Sequence, residues 1–295
     1  MTINKPKFGY YDYIKLWGLL FCVPGIIFFS IFYVYPIFRA IQISLYKWNI
    51  LERPVFIGFR NYTQMFTSGE FWNSFLVTFY YVIGVVFPIL LFSLPVALMF
   101  NRPFRLREGF LAIWYIPVII PLTVAAILWK LMFNPSFGLL TLITDPLGFK
   151  NLRWLNDPAL AMPSLIIISI WRSFPYYMVI MLAGLGSIPI SYTEAAKVDG
   201  ASPIQNFLYI TLPLLKNVLL YVSIVAVINS FQVFALPYLM TGGGPGSATR
   251  LLPYYIYQNA FEYLRMGYAS SASLVLMLVL LALTIIQFRI FKDNE

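Results

Sequence analysis

The sequence predicts an all-α membrane protein whose six spans form a kinked helix bundle. Of its 295 residues, 60% are hydrophobic and only 11% are charged, and the mean hydropathy is +0.79. A soluble domain carries about 25% charged residues, so this chain has less than half the charge that a water-exposed surface needs. Six apolar stretches each reach the roughly 20 residues that a helix needs to cross a bilayer. The composition therefore excludes an ordinary soluble domain and a disordered chain.

The six predicted spans follow an N-terminal tail, 1–15, and occupy 16–38, 75–100, 110–133, 160–185, 217–240 and 267–290. The first span is longer than the roughly 7–15 residues of a signal-peptide core and lacks a small-residue cleavage site, so we expect it to remain. Neighbouring helices must bond the backbone groups that prolines free, which predicts kinked spans. The prolines concerned are Pro24, Pro36, Pro88, Pro95, Pro117, Pro121 and Pro175. Residues 16–295 are expected to form one transmembrane domain.

Basic residues predict which side of the membrane holds the termini. Six spans place both termini on the same side, together with the short loop 101–109, which contains Arg102, Arg105 and Arg107. Cytoplasmic loops of membrane proteins are enriched in lysine and arginine. The bases on the opposite face are spread over longer loops. The sequence therefore predicts a multi-pass membrane protein with cytoplasmic termini. The net charge is +9, but the basic residues are scattered among loops and form no dense run, so we expect no nucleic-acid partner.

The residue inventory argues against catalysis by this chain. It has no histidine, and its single cysteine, Cys22, lies in an apolar run, so histidine metal sites, histidine dyads and internal disulfides are excluded. The sequence lacks a Gly-x4-Gly-Lys-Ser/Thr phosphate loop, so any ATP must be bound by another chain. All eleven carboxylates fall outside the predicted spans. Ion-coupled carriers usually place acidic groups at mid-membrane depth, so the energy for uphill transport is expected to enter from elsewhere.

Polar side chains within two spans are candidates for a solute path. Arg172 lies inside the fourth span, where it must face protein or water. It could snorkel, bond a helix carbonyl or line a polar path. The fifth span carries a mixture of amide, hydroxyl and aromatic side chains: Asn229, Ser230, Phe231, Gln232 and Phe234. Amides can bond sugar hydroxyls while aromatic rings pack on the apolar face of a sugar, but the same amides could bond between helices.

The loop 186–216 carries helix signals despite its polarity. Thr193 to Val198 favours a helix, and Gly200 permits a turn. Ser202 can cap a second helix, with Pro203 at its first position and Gln205 at its third. The loop therefore predicts a short helix-turn-helix held against the membrane.

This loop also contains the pattern E-A-A-x3-G-x9-I-x-L-P, formed by Glu194, Ala195, Ala196, Gly200, Ile210, Leu212 and Pro213. The pattern resembles the EAA loop of permease subunits in binding-protein-dependent ABC importers. A second block contains 242–245, Thr249, Tyr257, 260–261 and 267–270, and resembles the maltose- and glycerol-phosphate-type carbohydrate permeases. The resemblance covers nearly the whole chain. It implies the type I ABC importer permease fold and a location in a bacterial-type cytoplasmic membrane.

The resemblance implies that Glu194 to Pro203 forms a coupling helix that sits in a groove of a separate ATPase. The coupling residues would be Glu194, Ala195, Ala196, Asp199, Gly200, Ala201 and Pro203. It further implies a second homologous permease, two ATP-binding subunits that hold ATP and magnesium, and a periplasmic or extracellular solute-binding protein. This chain would bind no cofactor.

The resemblance implies a carbohydrate as the solute, with a di- or oligosaccharide expected and a glycerol phosphate-type solute as the alternative. It also puts solute contacts on the fifth span. An outer aromatic segment could dock the solute-binding protein through Tyr254, Tyr255, Tyr257 and Phe261, or could rest at the membrane surface as an amphipathic helix. An ion-coupled carrier and a membrane-embedded sugar transferase are the competing interpretations. The missing intramembrane acids argue against the carrier, and the isolated inner carboxylates argue against the transferase.

Overall fold

A computed structural model describes residues 10–149 and 152–292, and these residues are almost entirely helical. Most of the predicted tail, including Lys5 and Lys7, lies outside the described residues, as do Lys150, Asp293 and Glu295. The described residues divide into two compact units. Of these residues, one unit contains 10–65 and 259–274, and the other contains 66–149, 152–258 and 275–292.

The first unit begins with a long helix and continues into a small hairpin. Helix α1 (Tyr10–Phe29) passes through a π-helical turn (Ser30–Val34) into α2 (Tyr35–Ser44). Strands β1 (Tyr46–Lys47) and β2 (Val55–Phe56) pair antiparallel, with Tyr46 opposite Phe56, and α3 (Arg60–Phe66) follows.

Asn61 organises the interior of the first unit. Its Nδ2 atom donates hydrogen bonds to the carbonyls of Ser44, at 2.7 Å, and Tyr46, at 3.0 Å. The Ser44 hydroxyl also lies 2.8 Å from the Tyr62 hydroxyl. At the other end of the chain, the Met266 amide donates to the Trp48 carbonyl at 2.9 Å. These bonds join α2, the hairpin, α3 and the start of the last helix.

The second unit is built on three long helices and several shorter ones. The long helices are α4 (Gly69–Phe100), α8 (Pro158–Gly186) and α12 (Lys216–Phe231), and the shorter ones are α5 (Arg107–Ile119), α6 (Leu122–Met132), α7 (Thr141–Thr144), α9 (Ile190–Val198), α10 (Pro203–Asn206), α11 (Leu212–Leu214), α13 (Ala235–Met240) and α14 (Leu252–Tyr257). A π-helical turn joins α10 to α11 (Phe207–Thr211), and another follows α14 (Gln258–Glu262). Helix α15 (Met266–Lys292) begins in the first unit and ends in the second.

Side-chain caps and a glycine contact define the long helices of the second unit. Ser68 accepts a hydrogen bond from the Phe71 amide at the start of α4, and Asp157 accepts one from the Ala159 amide at the start of α8. Near the end of α8, a Cβ added at Gly184 would lie only 2.9 Å from Cγ2 of Val218. Glycine therefore allows α8 and α12 to approach closely, as small residues do between membrane helices.

The helices of the described residues are compatible with the six predicted spans. Four helical runs are long and apolar enough to cross a membrane: Tyr13–Ser44, Gly69–Phe100, Pro158–Gly186 and Met266–Phe291. Two bent pairs bring the total to six if each pair is one span. The first pair joins Arg107–Ile119 to Leu122–Met132 at 96°, and the second joins Pro203–Leu214 to Lys216–Phe231 at 65°. The described residues are therefore mostly helical, with four to six candidate spans.

Two predicted spans are broken in the structure. One breaks next to Pro121, where a kink was expected, and the other breaks where a continuous helix was expected. Within the predicted span 110–133, Ile120 has an extended ψ of 126°, because the ring of Pro121 disfavours helical backbone in the residue before it. Within the predicted span 217–240, α12 ends at Phe231 and a separate α13 starts at Ala235. In a continuous helix Pro237 could not donate to the Val233 carbonyl and its ring would clash there, so the helix breaks.

Candidate functional site

A cavity of about 400 Å³ lies among α4, α8 and α12 in the second unit. Its lining combines hydroxyls, an amide and a guanidinium with aliphatic side chains: Tyr81, Val85, Ile89, Val118, Leu122, Ile168, Ser169, Arg172, Ser173, Tyr176, Tyr177, Asn229, Ser230, Val233 and Leu236. A few polar groups within an apolar wall are typical of small-molecule pockets, whose volumes run from about 300 to 1,000 Å³. The cavity is the candidate site for a solute.

Two hydrogen bonds tie the walls of the cavity together. The Tyr81 hydroxyl on α4 lies 2.6 Å from the Ser169 hydroxyl on α8. The amide Nδ2 of Asn229 on α12 donates to the Tyr177 hydroxyl on α8 at 3.2 Å. The polar groups of three helices are thus held in fixed positions at the cavity, which reduces the ordering that ligand binding would require.

Helix α8 contributes a stripe of polar side chains to the cavity wall, and only one of them was predicted from the sequence. Ser169, Arg172, Ser173 and Tyr176 all line the cavity. Their spacing of three, four and seven residues places them on one face of a helix. Arg172 was predicted as a path residue, but the two serines and the tyrosine were missed. The same spacing, read around Arg172 in the sequence, would have found them.

The predicted path residues of the fifth span separate into two groups. Asn229 and Ser230 line the cavity with Arg172, whereas Gln232 is exposed and does not line it. Phe231 is buried in the core, with its ring edge-on to Phe79 at a centroid distance of 5.1 Å. We therefore remove Phe231 from the predicted path, because a fully packed ring offers no face to a solute.

Phe234, the remaining path candidate, belongs to an aromatic cluster with Tyr238, Tyr254 and Tyr257. Its ring centroid lies 4.9 Å from that of Tyr257, 5.4 Å from that of Tyr238 and 6.1 Å from that of Tyr254. Phe234 is also absent from the cavity lining. Its contacts indicate packing between α13 and α14, and its assignment to the path stays a prediction.

The predicted docking aromatics are also only partly accessible. Tyr254 and Tyr255 are buried, and the guanidinium of Arg250 lies over the Tyr255 ring at 5.0 Å from its centroid. A surface protein cannot reach these two rings, so their assignment to docking is corrected. Tyr257 is half-buried and Phe261 is exposed.

Close to Tyr255, Arg250 joins the start of α4 to α14. Its Nε donates to Oε1 of Gln258 at 2.8 Å, and its Nη1 lies 3.2 Å from Oε2 of Glu70. Arg250 is thus bound by an amide, a carboxylate and a ring. Nearby, the buried Thr78 hydroxyl accepts from the Leu252 amide at 2.7 Å, which anchors the first turn of α14 to α4.

The EAA segment, residues 194–203, forms the end of helix α9 and the tight turn that follows it. The Ala201 amide donates to the Ala196 carbonyl at 2.9 Å, and the Gly200 amide donates to the Lys197 carbonyl at 3.1 Å. These two bonds form the Schellman motif, which places its left-handed residue just after the helix. Gly200 occupies that position with a φ of +81°, which explains the glycine of the pattern.

The helix of the EAA segment is shorter than the resemblance implied. Helix α9 ends at Val198, so Asp199, Gly200 and Ala201 form the turn instead of continuing the helix to Pro203. The predicted cap of the next helix is present. The Ser202 hydroxyl accepts from the Gln205 amide at 3.3 Å, and the Gln205 side chain accepts from the Ser202 amide at 2.8 Å.

The surface of the EAA segment is largely open. Glu194, Ala195, Asp199 and Pro203 are exposed, whereas Ala196 is buried. Val198 is 88% exposed and was not predicted as a site residue, although an isolated β-branched apolar residue next to the turn is a usable signal. The segment thus combines a negative charge, a small residue and a protruding apolar side chain on an accessible surface.

Nothing among residues 10–149 and 152–292 groups three His, Cys, Asp or Glu side chains where a metal ion could bind.

The family model described as "Binding-protein-dependent transport system inner membrane component" matches residues 71–293. Two relatives match nearly the whole chain. The sulfoquinovosyl glycerol transport system permease protein SmoG of Agrobacterium fabrum is 34% identical, over 95% of this chain and 92% of its own length. The trehalose/maltose transport system permease protein MalF of Thermococcus litoralis is 35% identical, over 92% of each chain.

A solved structure matches the fold. A chain from the crystal structure of a bacterial ABC transporter involved in the import of the acidic polysaccharide alginate superposes with a TM-score of 0.79. The match covers 96% of this chain and 98% of the other, at 24% sequence identity. At that identity the likeness establishes the fold alone.

Proposed function

The chain belongs to the family of binding-protein-dependent transport system inner membrane components, and on that premise we propose that the solute it passes across the membrane is a carbohydrate. The family makes the chain a non-catalytic permease of an ABC importer, with ATP hydrolysis on a partner subunit. The carbohydrate assignment goes one step further and depends on the cavity.

The single observation that carries the proposal is the chemistry of the cavity wall. Hydroxyl and amide groups from Tyr81, Ser169, Tyr177 and Asn229 lie beside aliphatic side chains in a space of about 400 Å³. Sugar hydroxyls need donors and acceptors, while the C–H face of a sugar ring packs on apolar surface. The relatives named for sulfoquinovosyl glycerol and for trehalose/maltose support the same solute class.

We further propose that α9 and its turn bind the ATPase. Glu194 would pair with a base on that subunit, and the exposed Ala195 would allow close approach. The exposed apolar side chain of Val198 supports this proposal, because a docking surface buries such groups on binding. The Schellman turn at Gly200 would hold the segment in one shape when the ATPase moves it.

The complete transporter would contain a second homologous permease, two ATP-binding subunits and an extracytoplasmic solute-binding protein. The apolar windows of Tyr13–Ser44 and Met266–Phe291 are 0% and 6% buried within this chain. This exposed surface is suited to lipid and to the second permease. An ion-coupled mechanism gains no support from the cavity, because no carboxylate lines it.

The test of the proposed function has two parts. Purification of the chain in mild detergent should bring along an ATPase and a second six-span protein, and the reconstituted complex should take up a sugar at the expense of ATP. Glu194→Lys should then abolish ATP-driven uptake while leaving membrane insertion intact. Glu52→Lys, the same charge change at an exposed loop residue, is the matched control and should retain uptake.

Each part can fail separately. A chain that purifies without an ATPase in every detergent would contradict the coupling proposal. Uptake by Glu194→Lys at the rate of the control would remove Glu194 from coupling without affecting the carbohydrate assignment.

A further inference from the structure

Arg172 has an unusual position for a permanently charged side chain. It lies on α8 within a membrane-spanning helix and lines the cavity. Its Nε atom is buried and has no hydrogen-bond partner among the described residues. A buried polar group without a partner costs about 1–3 kcal/mol, and more when the group is charged. Arginine cannot relieve this cost by losing its proton.

The neighbours of Arg172 in the cavity do not neutralise it. Ser169, Ser173 and Tyr176 come from its own helix, Tyr81 comes from α4 and Asn229 from α12. All of these are neutral side chains, and the cavity lining contains no carboxylate. The cavity therefore carries a net positive charge.

A second arginine of the same unit, Arg250, is bound by a carboxylate, an amide and an aromatic ring, as a structural guanidinium needs. Arg250 binds Gln258 at 2.8 Å and Glu70 at 3.2 Å and packs over an aromatic ring, although its Nη2 atom is also buried without a partner. Arg172 has no corresponding carboxylate, amide or ring among the described residues. A guanidinium that is held in a membrane cavity without such a partner is suited to an anionic ligand.

We propose that Arg172 recognises an oxyanion on the transported sugar, so that the solute class is an anionic saccharide. This inference rests on the proposed carbohydrate function and adds the charge of the solute to it. The two terminal nitrogens of a guanidinium can donate two parallel hydrogen bonds to a carboxylate, sulfonate or phosphate. The hydroxyls of Ser173 and Tyr177 and the amide of Asn229 would bond the sugar hydroxyls.

The experiment compares sugars that differ only in one group. The probes are methyl glucosides that carry a carboxylate, a sulfonate or a phosphate at C6, with methyl glucoside itself as the neutral reference. Thermal-shift titration of the complete purified transporter gives an apparent Kd for each probe. The variants are Arg172→Gln and the charge-conserving Arg172→Lys, and Arg105→Gln, at an exposed loop residue, is the control.

We expect at least one charged glucoside to bind the wild type about tenfold or more tightly than the neutral one, which is the effect of a charge-assisted hydrogen bond. Arg172→Gln should remove this preference, so that charged and neutral glucosides bind the variant with similar apparent Kd values. Arg172→Lys should retain part of it, and the Arg105 control all of it. The probe with the largest preference identifies the oxyanion.

Equal binding of charged and neutral glucosides by the wild type would overturn the inference, and this comparison needs no variant to fold. An unchanged preference in Arg172→Gln would overturn it as well. Both results leave the carbohydrate proposal standing. Failure of every glucoside to bind, charged or neutral, would instead count against both proposals.

Discussion

Gly267, the second residue of α15, lies directly against the backbone of Tyr46 in the first unit. A Cβ added there would lie 2.9 Å from Nδ2 of Asn61 and 3.0 Å from the carbonyl carbon of Tyr46, and it would overlap the Tyr46 carbonyl oxygen. Carbon atoms in favourable contact are about 3.5–4.0 Å apart. Gly267→Ala would therefore force the Tyr46 backbone to move, because the atom that meets the added Cβ is a backbone oxygen and not the end of a flexible side chain.

The size of the effect follows from what holds Tyr46 in place. Overpacking costs about 1–3 kcal/mol. Displacement of Tyr46 would also break the 3.0 Å hydrogen bond from Asn61 and leave a buried donor short of a partner, at a further cost of about 1–3 kcal/mol. We expect Gly267→Ala to lower the free energy of unfolding by about 2–6 kcal/mol.

The assay is denaturant unfolding in mixed micelles, followed by tryptophan fluorescence. The matched control is Gly25→Ala, in α1 of the same unit, where an added Cβ meets nothing within 4 Å. Alanine is the better helix former by roughly 0.5–1 kcal/mol, so the control should be neutral or stabilising. If the unfolding free energy of Gly267→Ala lay within about 0.5 kcal/mol of the wild type, the usual range of a harmless surface change, the Tyr46 backbone would not constrain residue 267.

Two other substitutions test hydrogen bonds within the second unit. Thr78→Val should cost about 1–3 kcal/mol of unfolding free energy because it leaves the Leu252 amide buried without its acceptor, whereas Thr78→Ser should recover most of the loss. Equal stability of the valine and serine variants would contradict this. Ser202→Ala should cost about 0.5–2 kcal/mol locally, visible as faster hydrogen exchange at the Gln205 amide, and Ser202→Thr should restore protection. Unchanged exchange in the alanine variant would show that the capping box does not hold this helix.

The parts of the fold that depend on local chemistry could be predicted from the sequence. The turn at Gly200 and the cap at Ser202 follow from backbone preferences that act over three or four residues. The positions of the helices follow from the length of the apolar runs. The break at Ile120 was harder, because Pro121 predicts a bend but its 96° angle depends on packing.

Which side of an apolar helix packs in the core and which side faces lipid could not be predicted in the same way. In a soluble helix the apolar side marks the core, but lipid is also apolar, so the contrast between the two sides is lost. Phe231 therefore looked equivalent to Phe234, although one is buried in the core and the other packs in the aromatic cluster. Polar residues keep their contrast, and this is why Arg172 and Asn229 were found.

The π-helical turn at Phe207–Thr211 lies between the EAA segment and α12. A π-helical turn contains one residue more than a turn of regular α-helix. One residue corresponds to about 100° of rotation, because a helix has 3.6 residues per turn. The direction in which Glu194 and Val198 point, relative to the axis of α12, thus depends on the number of residues in this turn as well as on their types. Deletion of one residue from this turn would therefore rotate Glu194 and Val198 by about 100° relative to α12.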